Sequence, residues 1–353
     1  MTRTRMAVVG CGHLGAIHAR LLAAREDVEF VAVVDPVSEA RERVAAAHGC
    51  RALAEFRDLR GLVDAAVVAA PTGLHAAVAL PLLEAGIDLL VEKPLAASVE
   101  DARAISVAAR RHGRVVAVGH VERFNPAWRA AVEFAPGATV VEAVRAAPFT
   151  FRSLDVGVVH DLMIHDIDLV LSLEPGRLER VEGQGILASG GFEDAVRARL
   201  VFSSGLVADL SASRISPRLQ RTISIWSPQG LVHADLNAKT VEALTPSSGV
   251  CAGTFVAADV PAADRAALKD SFFKDVLPLR SVTVTDVNAI ACEHEDFLAA
   301  LRTARPPLVT AAAGAAAVEI AARVIDALEC VRLGAAGPRP PATLPLQPRR
   351  KTG

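Results

Sequence analysis

The sequence predicts an α/β chain in two domains: a parallel sheet covered by helices on both faces, then an α+β domain with a mainly antiparallel sheet. Three observations carry this reading. From Met6 to Val118, short apolar bursts alternate with helix-length runs. After Gly119 that alternation gives way to short alternating stretches separated by turn residues. The first burst runs directly into a glycine-rich turn that opens a helix. Strands alternating with helices imply parallel strands with both faces covered, whereas short strands joined by turns imply antiparallel pairing.

In order, Met6-Ala7-Val8-Val9 reads as a strand and Gly10-Cys11-Gly12-His13-Leu14-Gly15 as the turn. Ala16 to Arg25 reads as a helix, and Phe30 to Val34 as a second strand ending on Asp35. This is the order of a dinucleotide-binding unit. Gly10 permits a tight turn, Gly12 lets a pyrophosphate approach the backbone, and Gly15 lets the helix pack on the sheet. Asp35 lies 20 residues after Gly15, where a carboxylate can accept ribose hydroxyls and would repel a 2′-phosphate, so NAD is expected over NADP. Further helices are expected over 38–47, 75–85 and 98–112, with strands over 51–53, 65–70, 88–91 and 114–118. Ser98 with Asp101 three residues on forms a capping-box-like start. The glycine turn, Asp35, Pro71-Thr72 and Glu92-Lys93-Pro94 all follow strands, so four segments are expected to converge at the carboxyl ends, where such sheets bind ligands.

Beyond Gly119, a strand is expected over 138–145, and further strands over 178–184, 195–202, 206–213, 222–226, 231–236 and 241–244 read as an antiparallel meander. Helices are expected over 161–173, 288–301 and 310–328, while 250–279 has no readable pattern. The division expected is 1–121 for the dinucleotide-binding domain, 122–333 for a substrate-binding and oligomerisation domain, and 334–353 for a disordered tail rich in proline and arginine.

Composition narrows the function. With 353 residues, 52% of them hydrophobic, the chain can bury a core in each domain. A net charge of −2 with no basic stripe, and no tyrosine at all, argues against a nucleic-acid partner. Five cysteines, widely spaced and without a Cys-x-x-Cys pair, suggest reduced thiols in a cytoplasmic protein rather than disulfides or a zinc site. Arg3 and Arg5 before an apolar stretch imitate a signal peptide, but the glycine turn accounts for that stretch better. No apolar run is long enough to span a bilayer, so no membrane association is expected.

Two clusters could carry chemistry. Lys93 ends a strand between Glu92 and a proline, where an amine can reach a substrate oxygen. Asp161, His165 and Asp168 are spaced by four and three, which places them on one helical face, with Asp166 turned away and Ile164, Ile167 and Leu171 as an anchoring stripe. A histidine flanked by carboxylates suits a general base, although the same spacing fits a histidine in a polar helix surface. Without a second cluster of ligands, no metal is expected. Gly119-His120-Val121-Glu122-Arg123-Phe124-Asn125-Pro126, at the handover between domains, could hold a hydroxylated ligand through Arg123 and Asn125, or could equally supply hinge hydrogen bonds.

Together the Gly10–Gly15 turn, Pro71-Thr72-Gly73-Leu74-His75, Glu92-Lys93-Pro94 and the Asp161/His165 pair resemble the Gfo/Idh/MocA family of sugar and cyclitol oxidoreductases, over nearly the whole chain. The resemblance implies an N-terminal Rossmann domain that binds NAD and an open, mainly antiparallel C-terminal sheet often used for oligomer contacts, hence a homo-oligomer, dimer or tetramer. It implies that Lys93, Asp161 and His165 surround the reacting carbon and that Thr72, His75 and Glu92 line the cofactor. Gly119–Pro126 and Val158–Leu169 further resemble the branch containing UDP-N-acetylglucosamine 3-dehydrogenases, which make a 3-keto nucleotide sugar for diamino-sugar glycans such as lipid A. Many family members carry glycine-rich sequence just before the Asp-x-x-x-His pair, whereas here Gly157 is followed by Val158-Val159-His160. Arg123, Arg152 and Arg214 are candidates for holding a UDP group. The alternatives are a dehydrogenase of another polyol and a catalytically silent NAD-binding sensor.

Overall fold

The computed structural model describes residues 3–334 except Arg152 and Asp155. The chain forms two compact units, one built on the chain up to Phe124 together with Val287–Ala322, the other on Asn125–Asp286 and the chain from Arg323. Of the expected tail, residues 335–353 lie outside the described residues.

The first unit contains β1 (Thr4–Val9), α1 (His13–Ala23), β2 (Val28–Val34), α2 (Ser38–His48), β3 (Arg51–Leu53), β4 (Ala65–Val68), α3 (His75–Glu84), β5 (Asp88–Glu92), α4 (Val99–His112) and β6 (Val116–Gly119). Its six strands are parallel, in the order β3-β2-β1-β4-β5-β6. Every residue of β4 and β6 is buried, which requires helices on both faces and explains why these strands read as continuous apolar runs. The start of α4 forms as its sequence dictates: Ser98 Oγ accepts the Asp101 N–H at 3.0 Å, acids fill the first turn and bases the last.

The second unit opens with α5 (Pro126–Ala131), β7 (Val140–Ala146), a single π turn (Val159–Met163) and α6 (Ile164–Leu171). It continues with β8 (Leu178–Leu187), β9 (Ala195–Phe202), β10 (Val207–Ser213), β11 (Gln220–Ser227), β12 (Gly230–Asp235) and β13 (Thr240–Leu244). Then follow α7 (Ser248–Cys251), α8 (Arg265–Asp275) and β14 (Leu279–Val282). The chain then returns to the first unit for α9 (Ala289–Thr303) and most of α10 (Ala311–Asp326), before β15 (Leu328–Arg332) rejoins the second. The sheet order is β14-β13-β12-β11-β7-β10-β9-β8-β15. The expected simple meander is therefore corrected. β7 inserts between β10 and β11, pairing parallel with β10, and β15 adds a parallel edge beside β8. Val196, Ala198, Leu200 and Phe202 of β9 point into the core, and Arg199 on the opposite face pairs with Asp209 of β10 at 2.7 Å.

Three further expectations are revised. The helix expected over 310–328 ends earlier, because Leu328–Arg332 is recruited by β8, a partner more than a hundred residues upstream in the sequence. Within the unreadable 250–279 stretch lies α8, none of whose residues is buried, so it has no apolar stripe to recognise. Finally, α9 and α10 as far as Ala322 belong to the first unit, not to the domain expected over 122–333. Phe297 and Leu298 are fully buried in one cluster with Met6, Val8, Leu22 and Val67, at about 1.5–3 kcal/mol per buried side chain.

The glycine turn separates stability from ligand access. A Cβ at Gly15 would lie 1.8 Å from the Gly10 carbonyl oxygen, while one at Gly12 meets nothing within 4 Å. Gly15→Ala should therefore lower the melting temperature sharply or prevent folding, and Gly12→Ala should stay within about 0.5 kcal/mol of the parent in a thermal melt.

Candidate active site

The strand order of the first unit reverses between β1 and β4, and crevices that bind ligands open at the carboxyl ends of strands at such a point. Gly10, at φ 100°, donates its N–H to the Val34 carbonyl at 2.8 Å. A Cβ there would sit 2.5 Å from the Ala69 oxygen, so the loops after β1 and β4 meet backbone to backbone. The N-cap of α1 is Gly12, which brings no side-chain cap, and the first turn contains no acid. Its leading N–H groups and the positive end of the helix dipole therefore suit a pyrophosphate, and the open space over Gly12 admits one.

Asp35 is locked beside this turn. Its Oδ2 accepts the Cys11 N–H at 2.8 Å and its Oδ1 the Val37 N–H at 2.9 Å, leaving lone pairs on both oxygens for ribose hydroxyls. Burial, reinforced by the Asp35 charge, pushes the Cys11 thiol up to about 12, so it is inert packing. His13 and Leu14 are exposed on the opening turn of α1, Pro71 is exposed, and Thr72 is half-buried in a one-turn helix after β4. The uncapped start of α1, the space over Gly12 and the Asp35 carboxylate fit NAD.

Lys93 follows β5, half-buried, on the same edge. Its neighbour Glu92 turns inward: Oε1 accepts from His18 Nε2 at 2.7 Å and Oε2 from the Lys93 N–H at 3.2 Å. Burial pushes the Glu92 carboxyl upward, but the His18 hydrogen bond and the His18 and Lys93 charges outweigh it and hold it below the usual carboxylate range. His75, 1% exposed, sets its ring nitrogens against the Pro94 and Ala70 carbonyl oxygens at 2.9 and 2.8 Å, tying the loops after β4 and β5 together. Both residues were expected to line the cofactor; their polar atoms face the protein interior and brace the loops that would do so.

In the second unit, Asp161 sits in the π turn and His165 in the first turn of α6, both half-buried. Asp168, expected on their face, is buried because α6 runs into the core, with Ile167, Leu169 and Val170 fully covered. Asp166 does turn elsewhere, into a buried ion pair with Arg145 at 2.8 Å, and Ile164 and Ile167 anchor the helix as expected. The π turn is held from below. Glu193 accepts the Val159 N–H at 3.1 Å and occupies the space where a Gly157 Cβ would lie, 2.0 Å from its Oε1. Next to it, Asp194 accepts from Arg214 Nε at 2.8 Å, and Arg214 donates from Nη1 to the Ser153 and Val156 carbonyls at 3.1 and 2.9 Å. Burial raises the Asp194 carboxyl, yet bonds from Ser189, Ala188 and Arg214 win and hold it at about 2.

Comparison with known proteins agrees with this geometry. The family model described as "Oxidoreductase family, NAD-binding Rossmann fold" matches residues 4–120, and the GFO/IDH/MocA C-terminal domain matches 108–233. A UDP-N-acetylglucosamine 3-dehydrogenase of Acidithiobacillus ferrooxidans is 33% identical over 93% of this chain and 98% of its own length. The chain belongs to the Gfo/Idh/MocA oxidoreductase family. The crystal structure of that Acidithiobacillus enzyme superposes with a TM-score of 0.80 at 31% identity, covering 93% of this chain and 98% of the other. The scyllo-inositol 2-dehydrogenase (NAD(+)) of Bacillus subtilis is 29% identical over 61% of this chain and 68% of its own. GenD2 from gentamicin A biosynthesis, solved in complex with NAD, superposes with a TM-score of 0.73 at 25% identity over 93% of this chain and 94% of that one.

This Gfo/Idh/MocA member is thus an NAD-binding dehydrogenase acting on hydroxyl groups. Some expected substrate contacts are used internally instead. Asn125 caps α5 by accepting the Ala127 N–H at 3.0 Å, while its amide donates to the Leu236 carbonyl at 2.9 Å, so both bonds stay within the second unit. Arg214 is committed to Asp194 and two carbonyls, which removes it as a UDP contact. Arg123 is half-buried, in a short 3₁₀ turn just before Asn125, and Arg152 lies outside the described residues. Sequence reasoning missed His18, Glu193 and Asp194. His18 alone left a signal, a polar residue on the buried stripe of α1 next to Ala19 and Leu22.

The Asp194 network ties the stability of the second unit to pH. Its folded carboxyl lies below the unfolded one, so its contribution is present above the unfolded value and is lost as pH falls toward about 2. Asp194→Asn leaves the Arg214 guanidinium buried without its anion and should cost about 3–5 kcal/mol at neutral pH. In melts repeated at decreasing pH, the gap between variant and parent should narrow.

Proposed function

We propose that this dehydrogenase oxidises the C3 hydroxyl of UDP-N-acetylglucosamine to the ketone, with NAD as oxidant. The observation that carries the reading is the match to the Acidithiobacillus 3-dehydrogenase over nearly the full length of both chains, where the Bacillus inositol enzyme matches 61% of this one. Retention of Lys93, Asp161 and His165 supports turnover rather than silent binding.

NAD, when bound, supplies the acceptor for the hydride leaving the carbinol carbon. The Gly10–Gly15 turn and the α1 N-terminus hold its pyrophosphate, and Asp35 accepts its ribose hydroxyls. His165 takes the hydroxyl proton. The Lys93 ammonium donates a hydrogen bond to the oxygen, where negative charge peaks as the proton leaves. Asp161 orients the imidazole or shares the proton relay. A cytoplasmic homo-oligomer acting on a nucleotide sugar, without nucleic acid or membrane as partner, completes this reading. Among the described residues no helix is long and apolar enough to cross a membrane.

A second reading has its own support. Inositol dehydrogenases recur among the relatives, with that of Rhizobium meliloti 27% identical over 65% of this chain, so a cyclitol is the competing substrate class.

Incubated with NAD, the protein should give the absorbance of reduced cofactor with UDP-N-acetylglucosamine and not with inositols. A 2-oxo acid should be added in parallel to recycle any cofactor that stays bound. Turnover on inositols alone would transfer the assignment to the cyclitol class. Lys93→Ala and His165→Ala should each lower kcat by at least about 100-fold. Either variant with full turnover removes that residue from the mechanism. Asp35→Ala should raise KM for NAD and narrow the preference for NAD over NADP.

A further inference from the structure

Directly inside Lys93 the first unit buries four ionisable side chains from three elements. His18 of α1 and Glu92 of β5 share the 2.7 Å bond already described, and His18 Nδ1 lies 2.7 Å from His294 Nε2 of α9. Glu293, also of α9, is 2% exposed, and neither of its carboxylate oxygens has a hydrogen-bond partner. Nevertheless, a carboxylate oxygen of Glu293, one of Glu92 and a ring nitrogen of His18 all lie within 4.8 Å of one another. Two ionised carboxylates that close, buried, with one of them receiving no hydrogen bond, would be costly; one of the pair must carry a proton. Glu92 has two donors, His18 and the Lys93 amide, which favour its anion. Glu293 has none.

We propose that Glu293 is held as a neutral carboxylic acid beside the Glu92 carboxylate, and that the pair, with His18, sets the charge beneath Lys93 and so positions that amine as an ammonium donor. The part concerning Lys93 rests on the dehydrogenase reading above. The surroundings act in the same sense. Burial first, then the Glu92 and Asp296 charges, drives the Glu293 carboxyl well above the usual range. Burial, with the His18 and Arg25 charges, pushes the His294 imidazole down to about 3, so it stays neutral and contributes no counter-charge to Glu293. The groups that act on Glu293 are thus Glu92 from the end of β5 and Asp296 from α9 itself, with His18 from α1 in the same cluster, while Arg25 acts on His294 and Lys93 on Glu92. With Glu293 neutral, Glu92 is the single anion of the cluster. One negative charge next to Lys93 favours the ammonium form, and a second would overshoot toward a buried, mutually repelling pair.

The first test needs no substrate. In infrared difference spectra of the resting protein at pH 7, wild type minus Glu293→Gln should show the carbonyl stretch of a protonated carboxylic acid. Because the folded value of Glu293 lies above its unfolded one, its stabilising contribution is complete below the unfolded carboxyl range, about 4.3. It is lost as pH rises through the folded value. Glu293→Gln does not titrate, so its melting temperature relative to the parent should climb as pH rises. If that variant does not fold, wild-type protein labelled with carbon-13 at glutamate Cδ decides the matter: one side-chain carboxyl must remain protonated at pH 7. Finding no protonated carboxyl overturns the proposal, as does one equivalent of a divalent cation in elemental analysis, since His18, Glu92 and Glu293 could also ligate a metal.

The second test reads the consequence. Glu92→Gln should move the Lys93 limb of the kcat/KM pH profile toward acid by about 1–3 units, a change that a purely structural role would not produce. An unmoved limb overturns the link to Lys93. Absence of turnover on every sugar tested would instead sink the dehydrogenase reading, while the resting-state spectra and melts would still decide the protonation of Glu293.

Discussion

Backbone approaches backbone at the first turn of the chain, and much of the first unit is arranged to permit it. The space of a Gly15 Cβ is filled by the Gly10 carbonyl, and that of a Gly10 Cβ by the backbone at Ala69 and Ala70. This double contact brings α1 onto β1 and the loop after β1 against the loop after β4. From it follow the accessible N–H groups at the helix start, the anchorage of Asp35 by the Cys11 amide, and the burial of His18 one turn further along. Packing density is what enforces the arrangement: at 1.8 Å nothing larger than hydrogen can be accommodated without moving a strand.

The same helix that serves the ligand edge on its exposed side carries the buried polar chemistry on its inner side. His18 reaches Glu92, Glu92 takes the amide of Lys93, and His75 bridges the carbonyls of Ala70 and Pro94. The acid and histidine of the sequence motifs, Glu92 and His75, are therefore braces. They fix the loops and the charge environment, while Lys93, Thr72 and the glycine turn are the groups left on the edge. Polar networks of this kind in a low-dielectric interior are costly if any member is unsatisfied, which is why the bare carboxyl of Glu293 carries information.

In the second unit an analogous brace replaces a glycine-rich approach to the Asp161/His165 pair. Glu193 fills the space over Gly157 and receives the Val159 amide, and the Asp194–Arg214 pair secures the segment leading into it. The valines at 158 and 159 are fully buried, so this π turn is fixed by packing and a buried carboxylate together. Arg214 and Asn125, polar residues near the motifs, are consumed by this internal bonding, a use that no spacing rule distinguishes from ligand contact.

The sequence by itself determined the parallel first sheet, its glycine turn with Asp35, the cap at Ser98 and the anchoring face of the α6 helix. Each is a local matter of period, backbone freedom or a side chain reaching three residues along. It likewise determined that Lys93 ends a strand, because β5 is a continuous apolar run stopped by charge and proline. Only the tertiary structure decided that β7 enters between β10 and β11, that β15 is a strand, and that α9 returns to the first core with Phe297 and Leu298. Those outcomes depend on partners far away in the chain. The gathering of Glu92, His18, His294 and Glu293 was equally out of reach, since the environment that makes a carboxyl neutral or charged is assembled from α1, β5 and α9 and is written in none of them alone.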